Sequence, residues 1–237
     1  MAFVKMERCF EPVNTCGGFL IQEDGVVMAA HCRVKGSKDT VVLGAHNISN
    51  SKPRRQKIRV RCWIHHPKYN KTAPNNDITL LQVPPQSHHS APRDLMLLQV
   101  PPRSHHPAPS DLTLLQVPPL SHHPAPSDLT LLQCSDVLRE VALEVMADDA
   151  CEHNLTKPYD AESMICAGYP RGRRAALKGD LGGPLVCDRV PQGIVSWGPS
   201  NGASPQVYAR VSRFVSWIWT VIKQLKPLDA PGISSRA

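Results

Sequence analysis

An all-β fold closed by a C-terminal helix is the class this sequence predicts, and three features carry it. The chain has 237 residues, a length that a single all-β domain commonly fills. Short Leu-rich segments such as Asp77-Ile-Thr-Leu-Leu-Gln, followed by proline-rich connectors, read as buried strands. The last apolar stripe, Phe214, Trp217, Ile218, Val221, Ile222 and Leu225, has helical spacing and reads as a docked helix.

Composition narrows the class further. The 23 prolines are about twice the usual share. Aromatic residues are only 5% of the chain, so the core rests on Leu, Val and Ile. A formal charge of +7 excludes an acidic solvating chain. No apolar run reaches the roughly 18 residues of a membrane span. Eight cysteines without a close CxxC pair argue against a zinc ribbon and for disulfides in a secreted protein. Met1-Ala-Phe-Val-Lys-Met-Glu-Arg lacks a continuous apolar stretch and a small-residue cleavage site, so it does not read as a signal peptide. The sequons at Asn47, Asn70 and Asn154 matter only in a secretory setting.

The middle of the chain is a tandem repeat. Asp77-Ile-Thr-Leu-Leu-Gln returns at Asp94, Asp111 and Asp128, a period of 17 residues, across near copies of Val-Pro-Pro-x-Ser-His-His-x-Ala-Pro. Each unit reads as a strand plus a connector whose prolines cannot join a central ladder. Only one copy can occupy a given strand slot, and the others are expected to loop out. Eleven prolines and six histidines fall in the connectors. The pairs His88-His89, His105-His106 and His122-His123 do not make a chelate, because adjacent side chains of an extended segment point opposite ways. No metal site is expected.

Separated motifs carry the chemistry: Cys16-Gly-Gly-Phe-Leu-Ile, Ala29-Ala-His31-Cys32, Asn76-Asp77-Ile-Thr-Leu-Leu, Gly179-Asp180-Leu181-Gly182-Gly183-Pro184 and Ser196-Trp197-Gly198. In this order they resemble the chymotrypsin-like serine proteases. Val42-Leu-Gly-Ala-His-Asn-Ile-Ser, His66-Pro-Lys-Tyr-Asn and Gly193-Ile-Val-Ser-Trp-Gly resemble its granule-protease branch of cathepsin G, mast-cell chymase and granzymes. The resemblance spans about residues 1–82 and 134–226. It implies two six-stranded antiparallel β-barrels with a cleft between them. The protease-like domain would run over 1–226, incomplete at its N-terminus, with the repeat insertion at 77–133 and a disordered tail at 227–237.

The resemblance also implies roles. His31 matches the general base and Asp77 the carboxylate that orients it. The duplicates Asp94, Asp111 and Asp128 leave the choice of carboxylate open, although Asn76-Asp77 best preserves the family context. Leu181 stands where the family has its nucleophilic serine, and no base can activate a hydrocarbon side chain. The oxyanion donors would be the backbone N–H groups of Gly179 and Leu181. Ala175, Ser196, Trp197, Gly198 and Gln206 would line a specificity pocket suited to apolar or aromatic side chains. Family pairing gives disulfides Cys16–Cys32, Cys134–Cys187 and Cys151–Cys166, leaving Cys9 and Cys62 as free thiols or an unplanned pair. No cofactor is implied.

Two departures accompany the lost serine. The Ile-Ile-Gly-Gly start, whose ammonium pairs with the aspartate matching Asp180, is missing, so Asp180 is expected to lack that partner. The Val-Ala-Gly-Trp-Gly segment after Cys134 is also gone.

Basic residues cluster at Lys52, Arg54, Arg55, Lys57, Arg59 and Arg61, and again at Arg171, Arg173, Arg174 and Lys178. They suit sulfated polysaccharide or an anionic surface. Nucleic acid is not expected, since no aromatics interleave with the basic run. A peptide or protein ligand in the remnant cleft also fits. Residence in a secretory granule or outside the cell follows from the resemblance. Three readings stay open: an inactive protease homologue that acts by binding, an active serine endopeptidase, and a translated relic without function.

Overall fold

The computed structural model of the protein describes residues 1–47, 55–72, 74–84, 112–116, 138–155, 157–168, 180–199 and 203–225. The first sheet contains β1 (Ala2–Glu7), β2 (Asn14–Gln22), β3 (Gly25–Met28), β4 (Lys38–Leu43), β5 (Gln56–Arg59), β6 (Cys62–His65) and β7 (Thr79–Gln82). Its order is β5-β4-β1-β2-β3-β7-β6, with every pair antiparallel. The edges β5 and β6 are separated only by Val60 and Arg61. Val60 N–H donates to the Asp39 carbonyl (3.0 Å) and Arg61 N–H to the Gln82 carbonyl (2.8 Å). Residues 56–65 are thus one bent strand that pairs with β4 at one end and β7 at the other. Counted so, the sheet curls through six strands and leaves no free edge.

Alternation decides which face of this curl is buried. Ala2, Val4 and Met6 of β1, Val41 of β4 and Ile58 of β5 join the first core. Phe3 and Val42 pack with each other on the opposite face.

The second sheet is a closed antiparallel barrel in the order β10-β13-β12-β11-β8-β9. It contains β8 (Leu112–Gln116), β9 (Arg139–Val145), β10 (Met164–Gly168), β11 (Pro184–Cys187), β12 (Val190–Trp197) and β13 (Gln206–Arg210). Leu143, Ile165, Ala167, Leu185, Val195 and Tyr208 form its core. The expected pair of antiparallel barrels is what the chain forms.

Two copies of the repeat have become strands. The first supplies β7 of one sheet and the third supplies β8 of the other. Filling one slot in each sheet goes beyond the expectation of a single strand with looped-out spares. The copies beginning at Asp94 and Asp128 lie outside the described residues, as do Asp111, the histidine pairs and the tail.

The predicted terminal helix is α2 (Val211–Gln224). It is rich in β-branched and aromatic residues, which are mediocre helix formers, so tertiary packing holds it. Phe214, Ile218 and Val221 enter the first core, while Trp219 stays exposed. The His66 ring meets Phe214 and Trp217 edge-on at 5.3 and 5.1 Å. A second short helix, α1 (Asp148–Asn154), was not legible from periodicity. Two acidic residues in its first turn, Asp148 and Asp149, suit the positive end of the helix.

Candidate active-site cleft

His31 sits in a 3₁₀ turn, Ala30–Cys32, directly after β3. Cys32 is bonded to Cys16 of β2, which ties this turn to the sheet. A disulfide closing a loop of this size contributes about 3 kcal/mol in the chain-entropy account. Asp77 precedes β7, after Asn76 in a left-handed conformation (φ 55°) that asparagine tolerates. The Asn76 side-chain amide donates to the Lys68 carbonyl at 3.2 Å and holds that turn.

This local geometry brings the two residues together. The Asp77 carboxylate is only 3% exposed. His31 N–H donates to Asp77 Oδ1 at 2.9 Å, and His31 Nδ1 donates to Oδ2 at 2.6 Å. Ser196 Oγ also donates to Oδ2, at 2.5 Å. Three donors compensate the burial of the carboxylate. With the proton held on Nδ1, the Nε2 lone pair of His31 is the acceptor. Cys32 Sγ lies 3.8 Å from that atom and 3.7 Å from the Leu181 carbonyl.

Leu181 lies at the junction of the barrels. Its carbonyl accepts from Gly17 N–H of β2 at 2.8 Å. Its side chain packs against both hydrophobic cores. Gly182 follows with φ +81°, and a Cβ there would meet the Gly17 carbonyl at 2.6 Å. Only glycine permits both that backbone and that approach. Through Cys32 the Leu181 backbone adjoins the turn that carries His31.

Among the expected pocket residues, Trp197, Gly198 and Gln206 come together. Gln206 is buried, and its Nε2 donates to the Ala203 carbonyl at 3.0 Å. Its Oε1 lies so close to Gly198 that a Cβ there would meet it at 2.1 Å. The amide therefore fills the space facing Gly198. The Ser196 hydroxyl is turned to Asp77. A separation of 119 residues hides that bond from sequence. Lys157, 5.5 Å from the Trp197 ring centroid, was also not foreseen. Ala175 and Gly179 lie outside the described residues.

The sequence matches the family described as Trypsin over residues 1–218. The chain belongs to the trypsin family. This trypsin-family chain is 41% identical to human cathepsin G over 216 residues, covering 91% of the chain and 80% of that protein. It is 38% identical to granzyme B of Rattus norvegicus, covering 94% and 86% respectively. A solved structure described as "Structure of GrC" superposes with a TM-score of 0.78 at 35% identity, covering 94% of this chain and 93% of that one. The fold is chymotrypsin-like.

Two of the three expected disulfides, Cys16–Cys32 and Cys151–Cys166, are formed. Cys134, half of the third, lies outside the described residues. Cys9 and Cys62 are exposed free thiols. Asp180 is buried and has a partner within the chain. Among the described residues no cluster could hold a metal ion, and no helix is long and apolar enough to cross a membrane.

The basic run changes shape in the fold. On β5, Lys57 and Arg59 are exposed while Ile58 points inward. The order β5-β4-β1 brings Lys5 onto the same face, through Lys5↔Thr40 and Thr40↔Arg59. Burial lowers the Lys5 pKa, and the nearby Lys57 and Arg55 charges lower it further. Arg55 donates to the Asn47 carbonyl. Arg61 is exposed at the bend. Lys52, Arg54 and the second basic cluster lie outside the described residues.

Proposed function

We propose that this chain is a granule-protease homologue that binds ligands without proteolytic turnover. The observation that carries the reading is Leu181, between Asp180 and Gly182, beside an otherwise formed His31–Asp77 pair. A positioned base without a hydroxyl or thiol to deprotonate cannot open the covalent route. Losing that route alone costs several orders of magnitude in rate. The active-endopeptidase reading needs another serine at His31. Ser196 is the nearby candidate in sequence, and its hydroxyl is committed to Asp77.

The test is a fluorophosphonate serine-hydrolase probe together with peptide anilides bearing aromatic residues before the scissile bond. The expected outcome is no labelling and no turnover above a His31→Ala control. Labelling that His31→Ala abolishes would overturn the reading.

Binding would use the basic face made by Lys5, Lys57, Arg59 and Arg61. Crowding of like charges there favours a polyanion that relieves it, and sulfated polysaccharide has that chemistry. A heparin column should retain the protein and release it at lower salt after Lys57→Ala plus Arg59→Ala. Retention insensitive to salt or to these changes would sink the assignment. The remnant cleft, with Trp197 and the Gln206 amide, would take a peptide segment. Two disulfides and the family likeness support a secreted or granule setting.

A further inference from the structure

The connection between β1 and β2 carries an aromatic residue that its turn does not favour. Residues 8–13, Arg-Cys-Phe-Glu-Pro-Val, join the two strands and are exposed throughout. Glu11 N–H donates to the Arg8 carbonyl at 3.4 Å, closing a four-residue turn with Cys9 and Phe10 at its centre. Phe10 takes φ 64°, a left-handed conformation that suits glycine or asparagine at the third position of such a turn. A bulky side chain is strained there. Phe10 is also fully exposed, which leaves no packing to offset the strain. Val13, in the same connection, is the second exposed apolar residue of this tip.

The tip grows out of the basic face. Lys5↔Thr40↔Arg59 and Phe3↔Val42↔Lys57 set these side chains on one side of the sheet, and Glu7↔Lys38 extends that side to the end of β1. Lys5, Lys38, Lys57 and Arg59 outnumber Glu7 there. Lys38 stands at the end of the face, beside the last residue of β1, and Lys5 is two residues, about 7 Å, behind it. The tip and its nearest cations can therefore meet one surface together. Acidic groups do little to oppose this. Arg8 and Glu11 form an ion pair at 2.9 Å within the tip. Asp39 belongs to the other side of the sheet with Met6, and accepts from Trp63 Nε1 at 2.7 Å.

An apolar point beside a basic field matches an anionic bilayer. Such a bilayer offers a fluid boundary to an aromatic ring and negative headgroups to the cations. A rigid protein partner would instead need a pocket shaped to the ring.

We propose that the β1–β2 connection is a membrane anchor: Phe10 and Val13 enter the headgroup boundary of an anionic bilayer, while Lys5, Lys38, Lys57 and Arg59 meet its headgroups. The anchor shares its cations with the face assigned above to sulfated polysaccharide, and adds a tip that a polysaccharide does not use.

Vesicle co-sedimentation of the full chain tests this, with phosphatidylcholine alone and with added phosphatidylserine, alongside the heparin column. The protein should sediment with the phosphatidylserine vesicles and stay in solution with the neutral ones. Phe10→Asn plus Val13→Ser should weaken vesicle binding by about tenfold or more and leave heparin retention unchanged. Asparagine tolerates the left-handed turn, so this variant should keep the parent Tm or slightly exceed it. Lys57→Ala plus Arg59→Ala should weaken both interactions.

Vesicle binding that ignores the tip, equal binding to neutral and anionic vesicles, or no vesicle binding would overturn the anchor. Dimerisation through the tip without vesicle binding would overturn it too, as would a large loss of Tm in the tip variant. Tip-dependent vesicle binding without heparin retention would remove the polysaccharide reading and leave the anchor standing.

Discussion

Leu181 presents a hydrocarbon side chain that touches both hydrophobic cores. It is only partly buried, so truncation should cost less than at a sealed core position. Leu181→Ala should lower unfolding stability by about 1–3 kcal/mol in a urea titration. A change below about 0.5 kcal/mol would mean that the leucine only rests on the cleft surface. Residue roles at this site were unevenly legible. His31, Asp77 and Leu181 stand in short motifs whose order carries meaning. Ser196 and Lys5 acquire their partners only after distant strands are laid side by side.

The turn after β6 packs on α2 through the imidazole of His66, next to His65. Burial lowers the pKa of His65 below its ordinary 6.5, with the Arg33 charge adding to the effect. His66 is lowered in the same direction by burial, then by Lys68 and Arg213. A base depressed in the folded state binds protons first in the unfolded chain. The stability is therefore complete above pH 6.5 and is lost as pH falls through it. Thermal midpoints should decline from pH 7 to pH 5, and less steeply in His66→Gln than in the parent. Parallel slopes in the two proteins would dissociate His66 from the effect. At this scale the helix was readable from six apolar residues at helical spacing. The bent strand 56–65 was not, because its kink at Val60-Arg61 is fixed by Asp39 and Gln82, which lie elsewhere in the chain.

The whole molecule is two curled sheets, and each has taken one copy of the same six-residue segment. A repeated strand was legible in sequence. Its second placement was not, because nothing local distinguishes the third copy from the fourth. Removing residues 117–133 shortens the β8–β9 connection from 22 residues to 5. That should leave the thermal midpoint unchanged or raise it slightly, since loop-closure entropy falls by about 1 kcal/mol. A drop of many degrees would show that the unit makes contacts of its own.

The identity of adjacent units reaches beyond the folded chain to its coding DNA. Deleting 117–133 and deleting 111–127 leave the same protein sequence. Near-identical neighbouring stretches of DNA mispair with one another during copying, and each unit spans whole codons. Loss or gain of a whole unit therefore preserves the reading frame and, among three to five copies, leaves one for each of β7 and β8. Length variants of this protein, differing by whole units between β7 and β9, should circulate among individuals without altering its fold.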